Sequence, residues 1–467
     1  MRRTISSILF LTILISLVAC SQQERKAKAL GIDASTFPDY NDVTMPCNIA
    51  PPTFILTDES MLHDAIAIFE AGSTKHIVES DGERGFCISE ADWHSLTSHA
   101  TDISIRIQGT NPSGEWVEYN TQKIHISRDS IDNFLAYRLV EPGYEVWGEM
   151  GIYQRDLQTY EERAIITNDK TDGGCINCHS YCNYDAETMS LHMRKTCAGT
   201  YIRKDGTDTR LQPQPSLVYP SWHPTGKYIA YSQNDTKQLF HTTSRNRIEV
   251  FDYSSDIVVL NTETMQTFSC PQLTSGASFE TFPSWSPDGR TLYFCSADSV
   301  AMPAQYDEAC YSLCSIAFDP HTGTFDAKVD TLYNVKREGG SVSFPRVSPD
   351  GRYLMFTHHA YGNFSIWHHE ADLWMIDLQA NGFTCPLDAL NSPDTDSYHS
   401  WSSNGKWVIF SSRRIDGLYT RPFIAHFDGK GHFSKPFYLP QSRADHHQRL
   451  MKSYNIPEFT HNATREW

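Results

Sequence analysis

Short runs that carry an apolar residue at every second position make up most of the chain after residue 46. Residues 103–107 and 123–126 are two examples, with isoleucine at alternate positions and turn-forming residues between the runs. Side chains on a strand point alternately to its two faces, so this alternation predicts half-buried antiparallel strands. We therefore expect a mainly β protein, with a small β-sandwich domain at residues 46–130.

One unit of strand, tight turn and strand recurs four times in the second half of the chain. The copies are residues 219–231, 282–294, 344–356 and 398–410. Each copy has a glycine in its turn, and these glycines are 63, 62 and 54 residues apart, which leaves room for two more strands per unit. Four-stranded units that cannot bury both faces alone stack radially as the blades of a β-propeller.

The repeats resemble those of TolB-like proteins, whose propeller repeat carries the signature Trp-Ser-Pro-Asp-Gly-Arg. Residues 285–290 match this signature in full, whereas Val347 replaces the tryptophan in one repeat and Ser403-Asn404 replaces Pro-Asp in another. The resemblance covers residues 215–467 and implies a β-propeller of about six blades. Blade-like strands near residue 151 extend the predicted propeller domain to residues 131–467. Such propellers bind other molecules more often than they catalyse reactions, so the fold leaves the function open.

The first residues have the pattern of an export signal. Arg2 and Arg3 precede an apolar run too short to span a membrane, which predicts a signal peptide at residues 1–19. Residues 17–20 read Leu-Val-Ala-Cys, which resembles the lipobox of bacterial lipoproteins. The resemblance implies cleavage before Cys20, acylation of its thiol and amine, and attachment to a membrane through this lipid anchor. An ordinary signal peptide is the alternative.

The residues that follow Cys20 are polar and lack periodicity. They predict a flexible tether at residues 20–45 between the lipid anchor and the first domain. Ser21 stands where an inner-membrane retention signal usually has aspartate, which favours the outer membrane. We therefore expect the protein in the cell envelope, on its periplasmic or its surface face.

A motif for covalent haem attachment lies at residues 175–179. Cys175 and Cys178 stand three positions apart, and His179 follows directly. In such a motif each thiol adds to a vinyl group of the porphyrin and the histidine binds the iron, so the spacing predicts one haem c. A disulfide is one alternative. Half of a zinc site is another, which is disfavoured because the other close pair, Cys310 and Cys314, has no histidine beside it.

His192 is the predicted second axial ligand of this iron. A gap-free alignment of residues 179–192 with residues 282–295 places the motif at the start of a propeller blade, with His179 on Phe282. His192 then falls at a position that is small in the other repeats: Ser232, Cys295, Thr357 and Ser411. A large imidazole there needs a reason, and iron ligation supplies one. Met189, which matches a core position, Met193 and an open coordination site are the alternatives.

The charge and the remaining motifs narrow the function classes. The chain has 56 acidic and 39 basic residues, a net charge of −17, which disfavours nucleic acid as a partner. The sequence contains no nucleophile elbow, phosphate-binding glycine loop or metalloprotease motif, so no catalytic residue is predicted. The histidine pairs at 358–359, 368–369 and 446–447 are poor chelates, because adjacent residues on a strand point to opposite faces.

The lipobox, the first β domain, the haem motif and the TolB-like repeats together resemble a group of exported bacterial lipoproteins with a c-type haem built into a propeller. The resemblance implies an envelope-anchored, cytochrome-like protein that exchanges electrons with an unknown redox partner or senses a ligand through its haem. Two alternatives remain. One is a non-catalytic propeller scaffold that binds a protein or a glycan, and the other is a haem peroxidase with an open distal site.

Overall fold

The structure is a computed structural model that describes residues 25–57, 62–142, 148–211, 217–380 and 382–467. The described residues form 34 β-strands and three short α-helices. The strands are hydrogen-bonded into one ten-stranded sheet and six four-stranded sheets. The mainly β fold is therefore confirmed, and the six four-stranded sheets are the blades of a six-bladed propeller. None of the helices in the described ranges is long and apolar enough to cross a membrane.

The first domain is a single branched sheet. Its strands are β1 (Lys28–Ala29), β2 (Thr36–Phe37), β3 (Val43–Pro46), β4 (Thr53–Leu56), β5 (His63–Ala71), β6 (Thr74–Asp81), β7 (Gly85–Cys87), β8 (Asp102–Thr110), β9 (Trp116–Glu118) and β10 (Gln122–Ser127). The main order is β1-β9-β8-β5-β6-β7-β4-β2, and β10 joins both β8 and β3. Hydrogen bonding is continuous along this path, so the ten strands form one sheet.

One helix packs against this sheet and covers its core. Helix α1 (Glu90–Thr97) begins after Ser89, whose side chain accepts a hydrogen bond from the backbone N–H of Asp92. Trp93 of α1 is fully buried, and its indole N–H donates to the carbonyl of Ile49 at 3.0 Å. The helix therefore closes the apolar face that the alternating strands leave.

The tether predicted at residues 20–45 is wrong from Lys28 onward, because β1, β2 and most of β3 lie there. β1 pairs with β9 and β3 pairs with β10, both in parallel register. Val43 and Met45 of β3 are fully buried in the core of the first domain. Strands this short show no periodicity, and their partners are distant in sequence, so no local pattern marks them.

Blade 1 is built from both ends of the propeller domain. Its outer strands are β11 (Phe134–Val140), β12 (Gly151–Asp156) and β13 (Glu162–Thr167), and its innermost strand is the last one, β34 (Ser453–Thr460). β34 runs antiparallel to β11, with Phe459 opposite Leu135. Hydrogen bonds between the two ends of the domain thus close the ring of blades.

The other five blades are consecutive in the chain. Blade 2 has β14 (Ile176–Cys182), β15 (Asp185–Met193), β16 (Gly199–Lys204) and β17 (Thr207–Arg210). Blade 3 has β18 (Leu217–Trp222), β19 (Tyr228–Phe240), β20 (Ile248–Asn261) and β21 (Gln266–Phe268). Blade 4 has β22 (Ser278–Trp285), β23 (Thr291–Asp298), β24 (Ser312–Asp319) and β25 (Thr324–Tyr333). Blade 5 has β26 (Ser341–Val347), β27 (Tyr353–His359), β28 (Asp372–Asp377) and β29 (Phe383–Pro386). Blade 6 has β30 (Asp396–Trp401), β31 (Trp407–Ser412), β32 (Arg421–His426) and β33 (Phe437–Tyr438).

Short helices occupy a few of the connections. The remaining α-helices are α2 (Val335–Glu338) and α3 (His446–Arg449), and 3-10 turns lie at Gly82–Arg84, Asn168–Thr171, Lys195–Cys197 and Ser365–Trp367. The six innermost strands run side by side around a central channel. We call the end of the channel where these strands begin the start mouth. The end where hairpins such as Asn183-Tyr184 lead into the second strands is the turn mouth.

Candidate functional site

Every innermost strand has the same two-residue bulge midway along the channel. In each strand two residues stand opposite a single residue of the next strand, and the first of the two has a positive φ between 48° and 54°. We call this the ring position; it is held by Ile456, Cys178, Tyr219, Phe282, Phe344 and Tyr398 in blades 1 to 6. Bulges re-aim side chains, and the ring residues line one narrow waist of the channel.

Aromatic rings fill most of this waist. Consecutive ring centroids are 4.5 Å apart for Tyr219 and Phe282, 4.2 Å for Phe282 and Phe344, and 4.9 Å for Phe344 and Tyr398. Cys178 and Ile456 occupy the two remaining places. The thiol of Cys178 thus stands where most blades place a large aromatic side chain, and a cavity of about 40 Å³ remains beside it.

The structure moves the haem motif by one residue relative to the gap-free alignment. Cys178, and not His179, stands at the position of Phe282. The reason is the length of the hairpin: seven residues separate the paired Tyr181 and Met189, whereas six (286–291) separate their counterparts in blade 4, Trp285 and Leu292. On the second strand the alignment agrees with the observed register. His192 does stand at the position of Cys295, opposite Asn177.

The motif lies on an extended strand, and this geometry tests the alternative that its two cysteines form a disulfide. Ile176 and Asn177 are both paired in β14, so the Cα atoms of Cys175 and Cys178 are about 10 Å apart. A disulfide requires Cα atoms within about 7 Å of each other. Both cysteines are free, as are the other nine in the described residues. This backbone therefore holds the two thiols apart, with Cys175 half-buried near the start mouth and Cys178 buried in the waist.

The imidazole of His179 is buried without a hydrogen-bond partner. Its exposed fraction is 2%, and neither ring nitrogen bonds to any described group. Burial, aided by the positive charges of Arg138 and Arg346, lowers the pKa of His179 to about 3, so the ring is neutral. Unpartnered buried polar groups are rare and call for an explanation such as a ligand or ordered water. His179 is therefore a candidate ligand-binding side chain.

His399 has the same features as His179 in blade 6. It too follows a ring residue, is 2% exposed, and has no partner for either ring nitrogen among the described groups. Burial lowers its pKa to about 3, with a smaller contribution from Arg346. The other four blades have proline at this position: Pro457, Pro220, Pro283 and Pro345. A histidine after the ring residue is thus a feature of two blades, and blade 6 has it without any cysteine pair.

The donor set of the motif suits haem c, but its geometry in this fold does not. Two free thiols and an unpartnered imidazole are the groups that such a haem requires. However, the thiols lie at the two ends of an extended stretch, and the cavity beside Cys178 and His179 measures about 40 Å³. Pockets for cofactors of this size measure about 300–1,000 Å³. The folded segment therefore does not fit a haem held by both thiols.

The structure does not bring His192 and His179 together. The ring of His179 lies near Tyr181 and the backbone of Ala136, on the side of blade 2 that faces blade 1. His192 bonds to the hydroxyl of Thr200 at 3.2 Å, and Thr200 in turn donates to the carbonyl of Leu217 in blade 3. The two imidazoles thus face different neighbouring blades, and one iron cannot bind both in this arrangement. Met189 is fully buried in the core between blades 1 and 2.

The remaining sequence candidates do not form a metal centre. No group of three or more potential ligands that could hold a metal ion occurs among the described residues. His359 and His368 come together, with ring centroids 5.1 Å apart, but His368 is held between two carboxylates. Cys20, the predicted lipidation site, lies outside the described residues.

A wider pocket opens at the turn mouth, beyond the waist. Its volume is about 370 Å³, and three prolines, Pro224, Pro287 and Pro349, lie at its rim. Its wall is formed by the residue two places after each ring position. This wall position is serine in four blades: Ser180, Ser221, Ser284 and Ser400. Blade 5 has Arg346 instead, and blade 1 has Glu458.

The two exceptions at the wall position form an ion pair. Nη2 of Arg346 donates to Glu458 at 3.0 Å, and the other carboxylate oxygen of Glu458 accepts from the backbone N–H of Tyr181 at 3.2 Å. Burial raises the pKa of Glu458, and Arg346 opposes that rise. About a third of the Arg346 side chain remains exposed, and it lines both the pocket and the waist cavity. This pair was not predicted from the sequence. The repeat alignment shows arginine in place of serine at position 346, but Glu458 lies outside the four aligned copies.

The fold and its channel define a six-bladed propeller closed by its last strand. Among solved structures, TolB from Acinetobacter baumannii is similar at 13% identity, over 81% of this chain and 88% of that one, with a TM-score of 0.45. The propeller domain of the Trilobed protease from Pyrococcus furiosus is similar at 12% identity, over 64% and 81%, with a TM-score of 0.36. No family model and no curated protein matches the chain. The fold assignment therefore rests on the six sheets themselves.

Proposed function

We propose that this protein is a binding scaffold whose turn mouth takes a peptide segment of another protein. The observation that carries the proposal is the Arg346–Glu458 pair, which replaces two serines of the repeat at the wall of a pocket of about 370 Å³. A buried pair is a costly way to stabilise a fold. Two charged departures from the repeat, on the wall of a pocket closed at the waist, are better explained by recognition of a ligand.

The polar groups of the pocket favour a peptide over a glycan. Sugars need many side chains that are free to exchange hydrogen bonds, whereas two of the four wall serines bond to the protein itself. Ser221 Oγ accepts from the backbone N–H of Trp285, and Ser400 Oγ donates to the carbonyl of Pro457. A ligand meets an apolar and aromatic wall, the hydroxyls of Ser180 and Ser284, and the exposed part of Arg346. This combination suits a peptide with an acceptor near its apolar side chains.

The test uses substitutions that give blades 1 and 5 the serine that the other four blades have at the wall position. In the double variant Arg346→Ser, Glu458→Ser both charges go together, so no unpaired charge stays buried, and the new serine in blade 1 can accept from Tyr181 as Ser221 accepts from Trp285. The probe is a fluorescein-labelled pool of random heptapeptides with amidated ends, followed by fluorescence polarisation. We expect the wild-type chain to bind part of the pool and the double variant to bind it at least about tenfold more weakly.

A matched control removes a charge pair of the same blade outside the pocket. Arg352 donates to Asp377 at 2.8 Å on the surface of blade 5. The double variant Arg352→Ser, Asp377→Ser should bind the peptide pool as the wild type does. Equal binding by the wall variant and the wild type would refute the proposal, and so would a wild-type chain that binds no peptide.

The place of this scaffold is proposed from the sequence. A lipid on Cys20 would hold the domains at a membrane of the cell envelope. The test is the variant Cys20→Ser, expressed in a bacterium with lipoprotein processing. It should move from the membrane fraction to the soluble fraction, whereas a variant of another cysteine, such as Cys385→Ser, should stay with the membrane. Retention of the Cys20 variant would refute the anchor.

A second candidate is a haem carrier with redox or sensing function. It is favoured by one observation, the unpartnered imidazole of His179 next to the free thiol of Cys178. In that case Cys175 and Cys178 would hold the group and His179 would bind its iron, which supplies one-electron chemistry when bound. Because the extended segment does not fit this group, the proposal requires residues 175–179 to adopt a different backbone in the loaded protein.

The haem candidate has a direct spectroscopic test. The chain is expressed with a haem-attachment system, and its pyridine haemochrome spectrum is compared with that of the double variant Cys175→Ser, Cys178→Ser. A covalent haem in the wild type alone would support the candidate. Its absence from the wild type would eliminate the candidate and leave the scaffold.

A further inference from the structure

The waist cavity has a polar lining that the scaffold proposal does not use. His179 and His399 line it from blades 2 and 6, and Arg346 lines it from blade 5. The first two replace the prolines of the other blades, and Arg346 replaces a serine. Three departures from the repeat therefore meet in one small space at the bottom of the turn-mouth pocket.

The two imidazoles of this lining have unused hydrogen-bonding capacity. The four ring nitrogens of His179 and His399 are buried and make no well-aligned hydrogen bond with a described group, although the backbone of Ile456 and Ala136 lies close to His179 and that of Met355 close to His399. A neutral imidazole offers one N–H donor and one acceptor, and a guanidinium offers only donors. Leaving such buried groups unsatisfied destabilises the fold. A group that accepts hydrogen bonds is therefore expected in the cavity that both histidines line.

The charge of the lining selects an anion. Among the described residues that line the cavity, Arg346 is charged and none is aspartate or glutamate, and Glu458, the acidic partner of Arg346, faces the turn-mouth pocket. A cation would be repelled by the guanidinium, which agrees with the lack of a metal-binding group among the described residues. Hydrogen-bond donors around a positive charge are the usual surroundings of a bound carboxylate.

The size of the cavity limits the group that can enter. A water molecule needs about 10–15 Å³ of such space, so a cavity of about 40 Å³ holds roughly three non-hydrogen atoms. A carboxylate has three. Arg346 lines both this cavity and the turn-mouth pocket, so a group that occupies the turn mouth can reach the waist along Arg346.

We propose that the waist is a carboxylate subsite, in which His179, His399 and Arg346 bind the terminal or side-chain carboxylate of a ligand that occupies the turn mouth. This inference rests on the proposed scaffold function and deepens it, because it names the chemical group that the ligand carries. Arg346 joins the two cavities, so it orients the ligand with its carboxylate towards the waist.

The test uses formate as the smallest carboxylate and formamide as its neutral counterpart. The full chain without its signal peptide is labelled at its histidine ring carbons, and the ring signals are followed by NMR during titration. We expect formate to shift two histidine signals in a saturable way and formamide to shift neither. Equal shifts with both compounds, or no shift with formate, would overturn the subsite.

Matched variants assign the two signals and protect the test against misfolding. His179→Pro and His399→Pro return each blade to the residue of the other four, and His179→Gln and His399→Gln serve if a proline variant does not fold. Each variant should remove one of the two shifting signals. Signals that shift but persist in all variants belong to other histidines and would also overturn the subsite.

The two proposals fail in distinguishable ways. Members of the amidated peptide pool that lack aspartate and glutamate report on the turn mouth alone, whereas formate reports on the waist alone. Peptide binding without a formate effect would leave the scaffold standing and refute the subsite. A covalent haem on Cys178 would refute it as well, because the group would occupy the same space.

Discussion

His179 of blade 2 and His399 of blade 6 occupy the same position of the propeller repeat, each directly after a ring residue with positive φ. Both are buried, and both lack a hydrogen-bond partner among the described groups. Only one of them follows a pair of cysteines. The histidine of the Cys-Ile-Asn-Cys-His motif thus has an explanation in the channel that does not depend on haem, and the unusual residue of blade 2 is Cys178.

Filling the waist at Cys178 should stabilise the protein. The variant Cys178→Phe gives blade 2 the ring residue of blades 4 and 5, and the side chain can extend into the cavity of about 40 Å³. At about 24 cal/mol per Å³ of cavity, the gain is about 1 kcal/mol in the free energy of unfolding. Urea unfolding of the variant and the wild type measures it.

The reverse substitution in blade 4 is the control for that prediction. Phe282 is 3% exposed and packs against Tyr219 and Phe344, so Phe282→Cys should cost about 3 kcal/mol. A loss of stability in both variants would show that the thiol of Cys178 is already tightly packed, and would contradict the cavity.

The long β19–β20 hairpin of blade 3 contacts blade 5 through a buried cluster of charged side chains. β19 and β20 carry Glu249 to the start of β28, where its carboxylate lies 3.4 Å from Nε2 of His368 and accepts from the hydroxyl of Tyr361 at 2.6 Å. Burial alone would lower the pKa of His368, but Glu249 and Glu370 outweigh it and raise the pKa to about 9. The stability that this cluster contributes is complete below about pH 6.5 and disappears as the pH rises through 9.

The variant Glu249→Gln tests this cluster through its pH dependence. It should lower the free energy of unfolding by about 3 kcal/mol at pH 6.5, because a buried charge loses a partner. At pH 9.5 the loss should be smaller, since His368 is then largely neutral in the wild type as well. Urea unfolding at both pH values gives the difference, and an equal loss at both would contradict a charged His368.

Removal of the charge of Glu280 should stabilise the folded protein. Burial raises its pKa to about 7, and one of its carboxylate oxygens has no partner among the described groups. The folded state therefore favours the protonated form, and stability falls as the pH rises from about 4.5 towards 7. Glu280→Gln should be more stable than the wild type at pH 8 and similar to it at pH 4.5. Thermal unfolding at the two pH values checks this, and a variant that is less stable at pH 8 would contradict the assignment.

The repeats predict the propeller but not how its ring closes. Four copies of a strand-turn-strand unit carry the regular pattern of Gly289 and its counterparts, and this is enough to define blades from sequence. β34 contains a ring residue, Ile456, and a wall residue, Glu458, but its neighbour in the blade is β11, at the other end of the propeller domain. Without its hairpin partner the last strand does not match the repeat, so its place in blade 1 is visible only in the fold.

The site was harder to predict than the fold because it depends on the bulge. Aromatic residues rarely adopt positive φ, so nothing in the local sequence marks Phe282 or Tyr398 as residues that turn into the channel. A shift of one residue also changes which side chain faces inward. The gap-free alignment put His179 in the place of Cys178 for this reason, and it therefore missed that His179 matches His399.

The first domain and the propeller should unfold together, because they share one core. Phe459 of β34, Trp407 of blade 6 and Ile103 of the first domain belong to a single cluster of buried side chains, and the indole N–H of Trp407 donates to the carbonyl of Asp129 at 3.0 Å. We expect one calorimetric transition whose van't Hoff enthalpy matches its calorimetric enthalpy. Phe459→Ala, at a position that is 2% exposed, should lower the temperature of the whole transition through a loss of about 3–5 kcal/mol. Two separate peaks, of which the substitution moves only one, would show that the domains unfold independently.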